Sequence, residues 1–409
     1  MQIPQDSPEP LRTGGTAPVG LILTGGGARA AYQVGVLSGI MDILDPGRAP
    51  DFANPFAIIC GSSAGAINAA AMACFADEPH TGMERLRNLW SGLHTGMVYR
   101  ADAPGLLRTG ALWLVVLALG WLVPSLRNRQ PQSLLDNRPL GDLLSATLDF
   151  ERLKNNLSND CLDALAITAT AYTSGEHLTF YQANNTIRPW KRSLRRAVPS
   201  TIGVDHLLAS SSIPFVFPAR AMLVRGLTAW CGDGSMRQLA PMSPAIHLGA
   251  RKIFVIGTGY KDEVHPETQT VDTKYPTLAQ IGGHALSNIF LDSISMDVER
   301  MERINDLLAH LPPNALKSQS LRRVSTFSIT PSRSLDQMAL AHLGHMPKAA
   351  RALFRVIGVS SNSRKATDGA LISYLLFEAS YTKALIQLGR ADSMSRVEEV
   401  KAFFKEAPE

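Results

Sequence analysis

The chain has 409 residues, of which 45% are hydrophobic and 18% charged, a balance that excludes a disordered or collagen-like polypeptide and permits a sizeable buried core. Its formal charge of +5 favours an anionic partner, with nucleic acid and anionic lipid the two obvious classes. Cys60, Cys74, Cys161 and Cys231 lack C-x-x-C spacing, which excludes a zinc ribbon or a disulfide framework and suits a reducing compartment; no metal or cofactor is expected.

In chain order, Met1 to Pro18 is polar and contains proline without an apolar h-region, so no secretory signal is expected and residues 1–17 read as a loose tail on a cytoplasmic protein. Val19 to Thr24 reads as a short buried strand that empties into Gly25-Gly26-Gly27-Ala28-Arg29, with a helix from about Ala30 to Leu44. Bare amides at a helix start attract negative charge, because they lack intrahelical partners and the helix dipole adds to their pull. Two occupants fit: a phosphate, since Gly25 to Ala30 satisfies G-x-G-x-x-G/A, or the oxyanion of an attacked acyl carbonyl. The absence of a Walker lysine speaks against a triphosphate loop.

The apolar run from Phe56 to Cys60 leads into Gly61-Ser62-Ser63-Ala64-Gly65 and then the small-residue helical pattern from Ala66 to Met72. A G-x-S-x-G turn between strand and helix forces its central residue into a strained conformation that projects the hydroxyl clear of the sheet, so Ser63 is the candidate nucleophile. The oxyanion reading of Gly25 to Gly27 then joins both loops in one reaction. Further on, Ala111 to Val123 is uninterruptedly apolar, with Trp113 and Trp121 near its ends and Arg108, Arg127 and Arg129 flanking it. At about thirteen residues it is too short to span a bilayer as a helix. Residues 106–126 are expected to lie in the membrane interface or cover the site as a lid, against the plainer reading of a buried helix.

Ala164 to Thr173 and His177 to Gln182 predict a hairpin turned at Ser174-Gly175. Arg188 to Arg196 mixes cations with Trp190; it suits phosphate headgroups or is a solvated face, and no helix-turn-helix, zinc or RNA motif accompanies it, so no nucleic-acid partner is expected. Asp233-Gly234-Ser235 is by itself a turn signal. Lys252 to Thr258 and Val324 to Ile329 predict further strands, Lys261 to Tyr275 an aperiodic loop, and Ala279 to Leu311 and Thr367 to Leu388 helices. The expected fold is α/β: a mixed central sheet flanked by helices on both faces, with a catalytic unit over 18–260 and a mostly helical extension over 261–409 packed on it.

Four blocks together resemble the patatin-like phospholipase family, whose members carry G-G-G-x-R/K, G-x-S-x-G, A-S-x-x-I-P-x-x-F-P and D-G-G/A in that order. Here they are Gly25 to Arg29, Gly61 to Gly65, Ala209-Ser210-Ser211-Ser212-Ile213-Pro214-Phe215-Val216-Phe217-Pro218 and Asp233 to Ser235, and Ala240 to Ala245 looks like the bacterial branch. Ala30 and Ser235 depart from the family's usual glycine and glycine or alanine. The resemblance implies a Ser63–Asp233 dyad without histidine, with the amides of Gly25, Gly26 and Gly27 holding the oxyanion and Arg29 reinforcing that field or anchoring the loop. It also implies a glycerophospholipid substrate, and with the positive charge and the apolar segment 106–126 the expectation is a peripheral association with membrane. Asp233, ordinarily acidic near pKa 3.9, needs burial to act as a base at neutral pH. The rival is a triad using a downstream histidine among His247, His265, His284, His310, His342 and His345, none of which sits in a motif. An acyltransferase or thioesterase with the same acyl-enzyme, or a silent lipid- or nucleotide-binding scaffold, are the alternative functions.

Overall fold

The computed structural model describes residues 17–100, 133–260, 277–290, 292–312, 321–356 and 366–405. The apolar segment 106–126, the tail 1–16, the loop 261–275 and His265 lie outside the described residues. Among the described residues, ten strands form one mixed sheet. Its centre is parallel: β1 (Val19–Leu23), β2 (Ile58–Ser62), β3 (Ala164–Ala171), β9 (Lys252–Ile256) and β10 (Ser325–Ile329) run together in the order β10-β9-β1-β2-β3. Beyond β3 the direction reverses, with β4 (His177–Ala183) antiparallel to β3, β6 (Arg195–Pro199) parallel to β4, and β5 (Lys191–Arg192) closing the edge. β1, β2, β3 and β9 are buried along their length and mainly apolar, as burial on both faces requires, whereas the edge strand β10 is largely half-buried.

On one face, α1 (Ala31–Leu44) and α2 (Ala64–Cys74) pack with the helix Ala379–Met394 into the main core; on the other, Ser243–His247 and Asp292–Ala309 cover Ile22, Ile58, Ala166 and Val255. The expected α/β architecture is present. Periodicity alone misplaces some boundaries. The run from Ala279 to Leu311 is two helices, Leu278–Phe290 and Asp292–Ala309, and the run from Thr367 to Leu388 breaks between Ala366–Leu375 and Ala379–Met394. The second break has a visible cause: the Glu378 carboxylate accepts the Thr95 hydroxyl at 2.7 Å and Phe377 turns into an internal cavity.

Between the Ser-rich block and Asp233 lies a hairpin that sequence reading did not resolve, β7 (Arg220–Val224) and β8 (Leu227–Gly232), turned at Arg225-Gly226, both with positive φ. Only its last two residues pair with β3. The basic stretch around Trp190 is an edge structure in which the indole stacks on Tyr181 and on His247, at centroid separations of 5.4 and 4.8 Å. Among the described residues, no helix is long and apolar enough to cross a membrane.

Candidate active site

Ser63 sits between β2 and α2 at φ 53°, ψ −130°, a left-handed backbone that an L-residue adopts only under constraint. Its amide donates to Ser210 Oγ at 2.8 Å, which ties the turn to the end of the helix Val204–Ser210. That same Ser-rich block receives the other carrier of chemistry. The Asp233 amide donates to Ser212 O and the Gly234 amide to Ser210 O, both at 2.9 Å. Thus three stretches far apart in sequence, 61–65, 209–213 and 232–235, meet at the ends of β2 and β3.

The residue between Asp233 and Ser235 has to be glycine, because a Cβ on Gly234 would stand 2.1 Å from Thr168 O. Gly234 O in turn accepts from His177 Nε2 at 2.9 Å, which requires the proton on Nε2, and lies 3.3 Å from Thr168 Oγ1. Thr168 Oγ1 is 2.7 Å from Ser62 Oγ, so the nucleophile turn and the aspartate turn share one buried polar layer. His177 and Thr168 escaped the motif reading, since strand residues in ordinary β alternation carry no local signal. Burial pushes His177 down to about 4, so it is a neutral donor at physiological pH.

Asp233 is fully buried. Burial pushes its carboxyl up to about 6, while the Ser63 hydroxyl and the amide and hydroxyl of Ser235 pull it back towards the charged form. Oδ1 is held by the Ser235 amide at 2.8 Å. Oδ2 and Ser63 Oγ are both buried and make no formed hydrogen bond, although the hydroxyl is near enough to act on the carboxyl. A near-contact of this kind, short of ideal geometry, is what an unliganded nucleophile and base commonly show. The histidines considered for a triad are elsewhere engaged: His247 Nδ1 donates to Ser243 O at 2.7 Å, His310 Nδ1 to Asp306 O at 2.7 Å, and His342 and His345 are neighbours on the C-terminal helices. None of them, nor His284, is among the groups that act on Asp233.

Gly27 of the glycine-rich loop and Ser63 line one cavity of about 540 Å³, counting its opening to solvent. Ile67, Leu93, Leu140, Leu144, Ile213 and Phe217 form much of the rest of its wall. Gly27 has φ 54°, and a Cβ there would stand 2.1 Å from Tyr374 O. Thr258 Oγ1 donates to Gly25 O at 2.7 Å and fixes the other end of the loop. Arg29 turns away from the cavity: Nε donates to Ser373 Oγ at 2.8 Å, Nη2 pairs with Asp336, and the guanidinium lies 3.9 Å from the Tyr374 ring centre.

A strained serine after a parallel strand, a buried aspartate near it and a glycine-rich loop whose Gly27 lines the same apolar cavity make up the candidate site of this α/β protein. The family model for patatin-like phospholipases matches residues 21–246, more than half of the chain, and the protein belongs to that family of lipid hydrolases. Among solved structures, the chain is similar to VipD from Legionella pneumophila, at 13% identity and TM-score 0.35, with 94% of this chain and 68% of that one covered. It is also similar to the type III effector protein ExoU, at 14% identity and TM-score 0.34, covering 95% of this chain and 54% of that one, so it spans about half of ExoU's length. No curated protein matches.

Proposed function

We propose that the protein cleaves acyl esters of glycerophospholipids through a Ser63–Asp233 dyad, working at the cytoplasmic surface of a membrane. The observation that carries this reading is the pair of buried, otherwise unpartnered oxygens, Ser63 Oγ and Asp233 Oδ2, with Ser63 lining an apolar cavity. Apolar walls with few convergent polar groups suit an acyl chain whose carbonyl stops beside the serine. Ser63 Oγ attacks the carbonyl carbon as its proton passes to Asp233. The tetrahedral oxyanion is held by amides of Gly25 to Gly27, each such donor being worth about 10²–10³ in rate. Collapse breaks the ester bond, and the leaving lysolipid alkoxide takes the proton back from Asp233. Water then adds to the acyl-enzyme with Asp233 again accepting a proton; the Ser63 Oγ–acyl bond breaks, Oγ takes that proton back, and the fatty acid leaves. Arg29 serves as the anchor of the glycine loop, its charge being satisfied by Asp336 rather than offered to substrate.

Ser63→Ala and Asp233→Asn are each expected to lower phospholipid hydrolysis by at least about 10³-fold. A fluorophosphonate should label wild type at Ser63 and leave Ser63→Ala unlabelled. Lipid profiles of membranes treated with wild type or Ser63→Ala identify the ester consumed. A histidine variant as inactive as Ser63→Ala would replace the dyad with a triad.

A further inference from the structure

We propose that the β7–β8 hairpin, with Phe215 beside its root, is the surface through which the protein docks onto a bilayer bearing anionic headgroups. The proposal rests on the reading that the substrate is a membrane lipid, and it assigns the face that meets the membrane.

The hairpin is spliced into the candidate site. One strand starts three residues after Phe217, part of the cavity wall, and the other ends at Gly232, immediately before Asp233. Register sets where it points. β3 reaches the level of the nucleophile turn where Ser62 pairs with Thr168, and β8 runs antiparallel to the end of β3, with Gly232 opposite Thr170 and Cys231 opposite Ala171. The residues before Cys231 therefore continue past the end of the sheet that carries Ser63. Leu227 lies four residues further out, about 13 Å at the usual strand rise.

What this projection displays is unusual for a solvent-facing ribbon, which normally alternates apolar inside with polar outside. Its inner face, Met222 with Ala229 and Cys231, packs against the sheet, as expected. On the opposite face Leu223 is 70% exposed and Trp230 50%, and at the tip Leu227 is 74% exposed. Phe215, between two cavity-lining residues, is 75% exposed and held at φ 65° by the Leu134 amide, which donates to its carbonyl at 2.8 Å. A bulky residue in that backbone region is a strained way to present a ring to water. Single exposed leucines are ordinary, but three large exposed apolar side chains on one short hairpin, with a fourth, Phe215, just ahead of it between two cavity-wall residues, are a concentration that suits a partner surface.

The charge around the patch selects its partner. From Ser212 to Ala240 the cations are Arg220, Arg225 and Arg237, and the only acidic residue is the buried Asp233. Apolar knobs with a tryptophan, set among arginines, match the boundary between anionic headgroups and acyl chains. Docked this way, the cavity mouth faces the bilayer and an acyl chain can pass to Ser63 without crossing water.

The test uses the full chain with Ser63→Ala, so that binding is read without turnover, in co-sedimentation with vesicles of phosphatidylcholine and phosphatidylglycerol. Leu223→Glu combined with Leu227→Glu is expected to weaken binding by at least about tenfold, and Arg225→Glu by several-fold for the mixed vesicles only. Leu307→Glu, at a leucine 70% exposed on the helix Asp292–Ala309, should bind as the parent. In the Ser63 background the double variant should keep hydrolysis of a soluble short-chain ester within about twofold and lose vesicle hydrolysis. Unchanged vesicle binding by the double variant, equal loss in Leu307→Glu, or no binding by the parent overturns the proposal. So does a double variant that alters only self-association, which would make a second copy the partner. Loss of docking with ester hydrolysis intact leaves the hydrolase reading standing, and binding without any hydrolysis removes that reading alone.

Discussion

At the scale of single residues, the proposed chemistry turns on one carboxyl group. Because burial raises Asp233 to about 6, the base form is populated only above that pH, so kcat/KM for a soluble ester should rise through about pH 6 and then level. His177 and His247, both pushed down to about 4 by burial, do not titrate in that window, so the rise reports the aspartate. A profile flat from pH 5 to 7 would deny Asp233 the role of base. The same shift has a stability consequence of fixed sign. Below the unfolded pKa, near 3.9, the carboxyl is protonated in both states and contributes no difference. As pH rises towards 6 the unfolded chain releases its proton first, and folding loses about 3 kcal/mol, a loss that persists at higher pH. Asp233→Asn should therefore melt several degrees above wild type at pH 8 and lose that advantage near pH 4, while being inactive at both. The serine and its elbow were legible in sequence because strand, turn and helix are consecutive. His177 was not, since its bond to Gly234 joins positions 57 apart.

At the scale of elements, the glycine loop owes its shape to the C-terminal part of the chain. Gly27 rests against Tyr374 O, and the Arg29 side chain is held by Asp336 and Ser373, 307 and 344 positions away. The Arg29 side chain is 3% exposed, so removing its counterion leaves a buried charge without compensation. Asp336→Ala is expected to cost about 3 kcal/mol in denaturant unfolding. It should also lower kcat more than tenfold with KM little changed, because the loop that would hold the oxyanion is displaced while the cavity wall is not. Slower fluorophosphonate labelling of Ser63 would show the same displacement without turnover. Motif reading placed Gly25 to Arg29 at a strand-to-helix junction because that junction is local. Whether Arg29 faced the substrate or the protein was settled by two helices, Leu335–His342 and Ala366–Leu375, of which the motif contains no trace.

At the scale of the whole molecule, the sheet draws on both ends of the chain and the main core closes only when the last helices arrive. The helix Ala379–Met394 lies so near α1 that a Cβ on Gly389 would stand 2.2 Å from Tyr32 O, and one on Gly35 would stand 2.1 Å from Ile386 O. Gly389→Val must push the helices apart; we expect a loss of several kcal/mol or insolubility, and a chain ended at residue 378 should not accumulate as folded protein, by circular dichroism and solubility. Sequence by itself determined the α/β class, the parallel buried strands, the serine at the elbow and the order of the family blocks, because hydrophobic period, glycine punctuation and turn chemistry act between residues a few positions apart. Only the tertiary structure decided that Asp233 loses water opposite Ser63, that Arg29 faces inward, and that the run from Thr367 to Leu388 breaks so that Phe377 enters the cavity. Desolvation, counterion pairing and close packing depend on which distant segments meet, and no local pattern encodes that meeting.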